Sequence, residues 1–219
     1  MGDGSQARQR ILARIRARQG KGAESSAEER EAVRAHIVAH PHSPRPISDW
    51  EPVARFRERA LGLASTVDEV EALAAVPEAV ARYLKTASLP LTAACWAEFP
   101  ALDWRGAGMD VEARAAREND LVGITGAFCA IAETGTLLTV SGRDTPATVS
   151  LLPETHVAIV RKSRIVRGME EAWQLLRTEL GSMPRAVHFI SGPSRTADIE
   201  QTVTLGAHGP YRVHIILLP

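Results

Sequence analysis

Residues Ser191-Gly192-Pro193-Ser194-Arg195-Thr196-Ala197-Asp198-Ile199-Glu200 gather the side chains best suited to hold an anion. Gly192 and Pro193 interrupt the apolar run Val187 to Ile190, and Ser194 or Thr196 can cap a helix beyond them. A helix starting there turns free backbone N–H groups and a positive dipole end toward a guest. Arg195 adds a planar, permanently charged fork for a carboxylate or phosphate. Asp198 and Glu200 would then serve the helix N-terminus. The plainer reading is a capped helix with a solvated Arg195, because short capping patterns are common.

Two further loops carry groups for acid–base work. One is Ala132-Glu133-Thr134-Gly135-Thr136, where Gly135 can take the positive φ of a tight turn. The other is Gly206-Ala207-His208-Gly209-Pro210, just before the last apolar run. Ligands of open α/β sheets bind outside the carboxyl ends of strands, and the three loops are expected there. If they meet, Glu133, Arg195 and His208 line one crevice with the hydroxyls of Thr134, Thr136, Ser194 and Thr196. The backbone at Gly192, Gly206 and Gly209 supplies further contacts. A carboxylate and an imidazole in one pocket tune each other, which makes Glu133 and His208 the catalytic candidates. The competing expectation is architectural: Glu133 pairs with Arg195, and His208 fixes a turn. The 141–148 loop, with Arg143, is either a lid over this crevice or a surface turn. His156 is expected to satisfy a backbone carbonyl rather than bind metal.

The elements that must position these loops follow from periodicity. Residues 6–19 place Ile11, Leu12 and Ile15 on one helical face among arginines, a pattern expected to dock on its own domain. Ser26-Ala27-Glu28-Glu29 is a capping box opening a helix through about Ala39. Pro41, Pro44 and Pro46 end it, so residues 1–46 read as a helical arm and proline-rich linker, dispensable for folding of 47–219. A third helix is expected from Ser48 and Asp49 to about Leu63. Thr66, with Glu69 three residues on, predicts a short helix, and Pro77 opens another. Residues 89–96 are β-prone, and 99–112 read as an irregular loop or edge element. Strands are predicted at Leu121–Thr125, Ala127–Ile131, Thr136–Val140, Val157–Val160 and Ile165–Val166, with a helix over 168–180. The apolar runs Ala186–Ile190 and Val213–Leu218 predict strands covered on both faces, in one sheet with 157–160. The class is α/β with a mostly parallel open sheet.

Composition narrows the function. Lysine plus arginine and aspartate plus glutamate both total 26, so a zero net charge calls for neither nucleic acid nor an anionic membrane. No apolar run approaches the ~20 residues of a membrane span, and the first residues lack a secretory pattern, so the expected location is cytoplasmic. Cys95 and Cys129 stand far apart without a metal-ligand spacing, which predicts no cofactor, zinc or iron–sulfur cluster on this chain.

Ala132 to Thr136, Leu151-Leu152-Pro153-Glu154-Thr155-His156, Ser191 to Glu200 and Gly206 to Pro210 occur in an order that resembles the LUD domain, in the lactate-utilisation protein C family. The resemblance covers roughly residues 45–219. It implies a fold of the CoA-transferase/ribose-5-phosphate-isomerase-like group and a role in bacterial L-lactate oxidation. Through that kinship Glu133 could act as a nucleophile, as a glutamate does in the related CoA-transferases. Two functions follow. One is a non-redox component of L-lactate oxidation to pyruvate, partnered by separate iron–sulfur protein subunits. The other is a stand-alone enzyme binding an anionic small molecule, phosphate- or CoA-bearing, at the crevice of the 132–136, 191–200 and 206–210 loops.

Overall fold

The computed structural model describes residues 4–22, 24–45, 48–197 and 204–219, in two compact units, Met1–Ile47 and Ser48–Pro219. In the first unit α1 spans Gly4–Arg18 and α2 spans Ala27–Ala39. The box at the start of α2 is formed. Ser26 Oγ accepts the Glu29 N–H at 3.0 Å, and Glu29 Oε2 accepts the Ser26 N–H at 3.0 Å. Together they satisfy two of the donors that a helix start leaves unpaired.

The second unit opens with α3, Pro52–Gly62, capped by Glu51 rather than by Ser48 or Asp49. The Glu51 carboxylate accepts the N–H groups of Val53 at 3.0 Å and Ala54 at 2.7 Å, and those bonds pull its pKa below the usual range. Next comes β1, Thr66–Glu69, where a capped helix was expected. The Thr66 hydroxyl is not a cap: it bonds His214 Nδ1 at 2.8 Å across the strand pair. A 3-10 turn and α4, Val76–Thr86, follow, with Pro77 in the first turn where its missing N–H costs nothing.

The remaining elements are β2 (Thr92–Cys95), β3 (Asp110–Ala113), β4 (Val122–Gly126), β5 (Cys129–Ile131), β6 (Thr136–Val140), α5 (Thr148–Leu151), β7 (Thr155–Arg161), β8 (Ile165–Val166), α6 (Met169–Leu180), β9 (Val187–Ile190), β10 (Arg195–Thr196), β11 (Thr204–Leu205) and β12 (Arg212–Leu218). Six strands form a sheet in the order β1-β12-β7-β4-β2-β3, and every pairing in it is parallel. A second, four-stranded sheet runs β8-β5-β6-β9. The fold is α/β with a mostly parallel central sheet and a helical N-terminal arm.

Alternation along β12 explains its place inside the main sheet, between β1 and β7. Ile216 and Leu218 join Val80, Leu84, Ile124 and Val157 on the α4 side. Ile215 and Leu217 join Phe56 and Ala60 of α3, with Leu137 of the second sheet, on the other. A strand buried on both faces needs an apolar run, and Ile215–Leu218 of β12 supply one, with His214 the buried polar exception. The run at β9 has a different fate. It pairs antiparallel with β6, Leu138 opposite Phe189 and Val140 opposite Val187, and so belongs to the second sheet. One expected sheet is therefore two. Only half-buried, β9 leaves Phe189 37% exposed beside Trp173 of α6. Leu176 and Ala172 of α6 cover Cys129, Ile131 and Leu138 on that sheet's outer face.

Candidate functional site

The turn between β5 and β6 holds Thr134, Gly135 and Thr136. Gly135 has φ 68°, and a Cβ there would lie 2.6 Å from the backbone nitrogen of Ala60 in α3. Only glycine permits both the left-handed backbone and that approach. From this turn a seam of hydroxyls runs outward: Thr134 Oγ1 to Thr136 Oγ1 at 2.7 Å, then Thr136 Oγ1 to Ser191 Oγ at 2.7 Å. The seam joins the first loop to the second.

Gly192, at φ 76°, repeats the device against the residue that follows α3. A Cβ there would stand 2.4 Å from the Leu63 carbonyl oxygen, and Arg195 Nη2 donates to that same oxygen at 3.2 Å. The Ser194 N–H donates to Pro210 O at 2.9 Å, and the Gly206 N–H donates to Ser194 O at 3.0 Å. A Cβ on Gly209 would come 3.3 Å from Ser194 Cβ. Segments 134–136, 191–195 and 206–210 thus meet beside the end of α3.

Three expectations change here. Residues 195–196 form a short strand rather than the start of a helix, paired antiparallel with 204–205, with Arg195 opposite Leu205 and Thr196 opposite Thr204. The arginine sits on a strand, without a helix N-terminus beside it among the described residues. Asp198 and Glu200 lie outside the described residues. Second, the junction lies at the amino ends of the parallel strands, because Pro210 leads into β12 and Ser65 leads into β1. Third, Glu133 faces elsewhere. Its N–H donates to Arg167 O at 3.0 Å, and its Oε2 lies 3.4 Å from the place of a Cβ on Gly168, the residue that opens α6. A carboxylate there meets the positive end of that helix. No Glu133–Arg195 ion pair forms among the described residues. His208 is exposed in the 206–209 bend. The 141–148 loop is tied to the segment after β2, through Trp96 Nε1 to Pro146 O at 3.1 Å and the Ala97 N–H to Asp144 O at 3.2 Å. Arg143 on it is exposed.

His156 is fully buried, and its Nε2 meets Thr125 Oγ1 at 2.7 Å rather than a backbone carbonyl. Burial lowers its pKa to about 4. His214 stacks flat on Tyr83, ring centroids 3.8 Å apart, and burial lowers it likewise to about 4. Both are neutral framework groups at pH 7. Burial also pushes the Cys95 thiol up to about 11 and the Cys129 thiol up to about 12, leaving neither a ready nucleophile. Among the described residues, no three His, Cys, Asp or Glu side chains gather closely enough to hold a metal ion. No helix there is long and apolar enough to cross a membrane.

The carboxyl ends of the parallel strands hold groups that motif reading passed over. A cleft of about 340 Å³ lies there, with Gly126 at the end of β4, Arg161 at the end of β7 and Glu98 just beyond β2. Arg164 and Glu179 form one wall as a bidentate pair, at 2.6 and 2.9 Å. The available signal was position: a charged residue or glycine at the end of each of several adjacent strands.

The LUD domain family matches residues 63–218. Lactate utilization protein C of Bacillus subtilis (strain 168) is 41% identical over 100 residues, covering 44% of this chain and 42% of that protein. The protein of the same name from Anoxybacillus flavithermus is 38% identical over 103 residues, covering 47% and 46%. The chain spans about half the length of the curated relatives it matches. A DUF162 family protein from Deinococcus radiodurans, known from a crystal structure, is similar with a TM-score of 0.60 and 26% identity, over 80% of this chain and 100% of that one. The family match takes in the main sheet, the second sheet and all three meeting loops, and the chain belongs to the LUD domain family.

Proposed function

We propose that this chain is a non-redox component of L-lactate oxidation to pyruvate, working through contacts with separate iron–sulfur subunits. The observation that carries this reading is the similarity to proteins named Lactate utilization protein C. The thiols support it: Cys95 and Cys129 are both buried, in different apolar clusters, so the two cannot ligate one cluster. In this reading a partner carrying iron–sulfur clusters takes the electrons removed from lactate. The junction of the 134–136, 191–195 and 206–210 segments is the surface offered for contact, with the exposed Arg195 as its cation. The other reading, a stand-alone enzyme for a phosphate- or CoA-bearing molecule at this junction, leaned on a helix N-terminus after Pro193. Arg195 and Thr196 lie on a strand, which places no helix N-terminus at Arg195 among the described residues and weakens that support.

Deleting the gene should abolish growth on L-lactate and leave growth on pyruvate intact. Tagged protein from lactate-grown cells should bring down proteins carrying iron–sulfur clusters. Normal growth of the deletion strain on L-lactate refutes the proposal.

A further inference from the structure

The main sheet has one place where neighbouring strands send their chains away from each other. From β2 the chain continues to the edge strand β3, and from β4 it leaves toward β7 and β12 on the other side. Ligands of parallel sheets sit at the carboxyl side of such a switch, because the two diverging loops leave a crevice between them. Here the residues after β2 supply Glu98 and Phe99, and those closing β4 supply Gly126 and Phe128. At about 340 Å³ the cleft is at the small end of the ligand-pocket range of roughly 300–1,000 Å³.

Its charged groups divide into used and unused. Arg164 is fully engaged: both terminal nitrogens bind Glu179, Nε donates to Phe128 O at 2.8 Å, and the guanidinium lies 4.9 Å over the Phe128 ring. That pair is wall. The side chains of Arg161 and Glu98 make no hydrogen bond or ion pair with any described residue. They are close enough to feel each other, since desolvation raises the Glu98 carboxyl above its ordinary value and the Arg161 charge opposes that rise. Although Glu98 is exposed as a whole, its Oε2 lies only 2.7 Å from the place where a Cβ of Gly126 would be. The glycine leaves room for the carboxylate against the strand end.

We propose that this cleft binds a short carboxylate carrying a hydroxyl or amino group on the neighbouring carbon. Arg161 takes the carboxylate in its fork, Glu98 accepts the hydrogen bond from the adjacent donor, and Phe99 and Ile159 face the carbon body. Each polar group of the guest meets a group that the chain leaves unpaired, which is the pairing that rewards desolvation. The assignment rests on the cleft's own residues, independently of any role in lactate oxidation.

Titration calorimetry and ligand-detected NMR on the full chain test it, with L-lactate, L-alanine and propionate as probes. Lactate or alanine should bind, and propionate, which lacks the donor, should bind at least about tenfold more weakly. Arg161→Gln should weaken binding by about ten- to a hundredfold, the scale of a lost charge-assisted bond. Glu98→Gln and Gly126→Ala should each weaken it about tenfold with little change in melting temperature. Failure of both lactate and alanine to bind, equal binding of propionate, or retained binding in a folded Arg161→Gln protein would overturn the proposal. If a variant does not fold, the comparison of the three probes on the unaltered chain decides.

Discussion

Acid should weaken this fold well before its carboxylates titrate, because two histidines are buried without charge. His156 lies inside β7 against Thr125. On β12, His214 lies against Tyr83 and Thr66, and the charges felt there are Asp68 and Arg82. Burial takes both from an ordinary 6.5 to about 4. Between those values the unfolded chain binds protons that the folded chain refuses. Stability is therefore fully present above pH 6.5 and drains as pH falls toward 4. Each histidine costs about 1.4 kcal/mol per pH unit well inside the window. From pH 6 to pH 5 the pair should remove roughly 2–2.5 kcal/mol, a large share of a stability of about 5–15 kcal/mol. For a chain of this size that is a fall of roughly 5–10 °C in melting temperature. Circular dichroism melts at pH 7, 6 and 5 measure it. His214→Phe keeps a flat ring on Tyr83, removes one titrating group and should halve the slope. Asp120 does not confuse the measurement, because Arg114 holds its carboxyl down to about 2, so its stabilising share is lost between its ordinary 3.8 and about 2, below the pH range of the melts. An unchanged slope in His214→Phe, or a melting temperature flat from pH 7 to 5, would refute the reasoning.

Gly135→Ala should cost roughly 2–5 kcal/mol, since the left-handed backbone and the approach to Ala60 are both violated. Gly181→Ala, at φ 65° with open space around it, should cost only the backbone part; equal losses in thermal melts would mean that the turn does not press on α3. Arg195→Ala removes one bond to the Leu63 carbonyl from an exposed side chain, an expected loss of about 0.5–1.5 kcal/mol by urea unfolding. A loss beyond about 3 kcal/mol would show that the β10–β11 pair depends on this arginine for more than that bond.

Where a segment's own pattern and its tertiary partners agreed, the sequence was enough. β12 is apolar at every position that the two clusters bury, and α6 keeps Ala172 and Leu176 on one face. Segments with two local readings went astray. Thr66 and Glu69 have the spacing of a capping box, yet the same stretch carries β-branched Thr66 and Val67, and pairing with β12 decided the matter. At β9, four residues between breakers looked like an inner strand. Only the partner β6, nearly fifty residues back, settles that Phe189 faces outward. Propensity reads a few residues at a time, whereas sheet membership depends on strands far away in sequence.

The site shows the same division more sharply. Motifs mark loops that need special backbone, and Gly135 and Gly192 do press against the end of α3, so segments far apart in sequence were correctly flagged as unusual. Spacing could not tell which end of the sheet they would occupy. The 206–210 loop precedes β12 and the 191–195 loop follows a strand of the other sheet, so the carboxyl-end rule never applied to them. Applied to the strands of the main sheet, that rule selects Glu98, Gly126 and Arg161, three single residues with no motif among them. Two kinds of constraint are therefore separated in space. Backbone demands concentrate at the amino ends, where loops from both sheets must interlock with α3. At the carboxyl ends diverging loops leave a cleft, where the Arg161 side chain forms no ion pair among the described residues and Glu98 feels its charge. A glycine-rich motif thus reports that backbones meet, whereas an unpaired charge beside a cleft reports room for a guest.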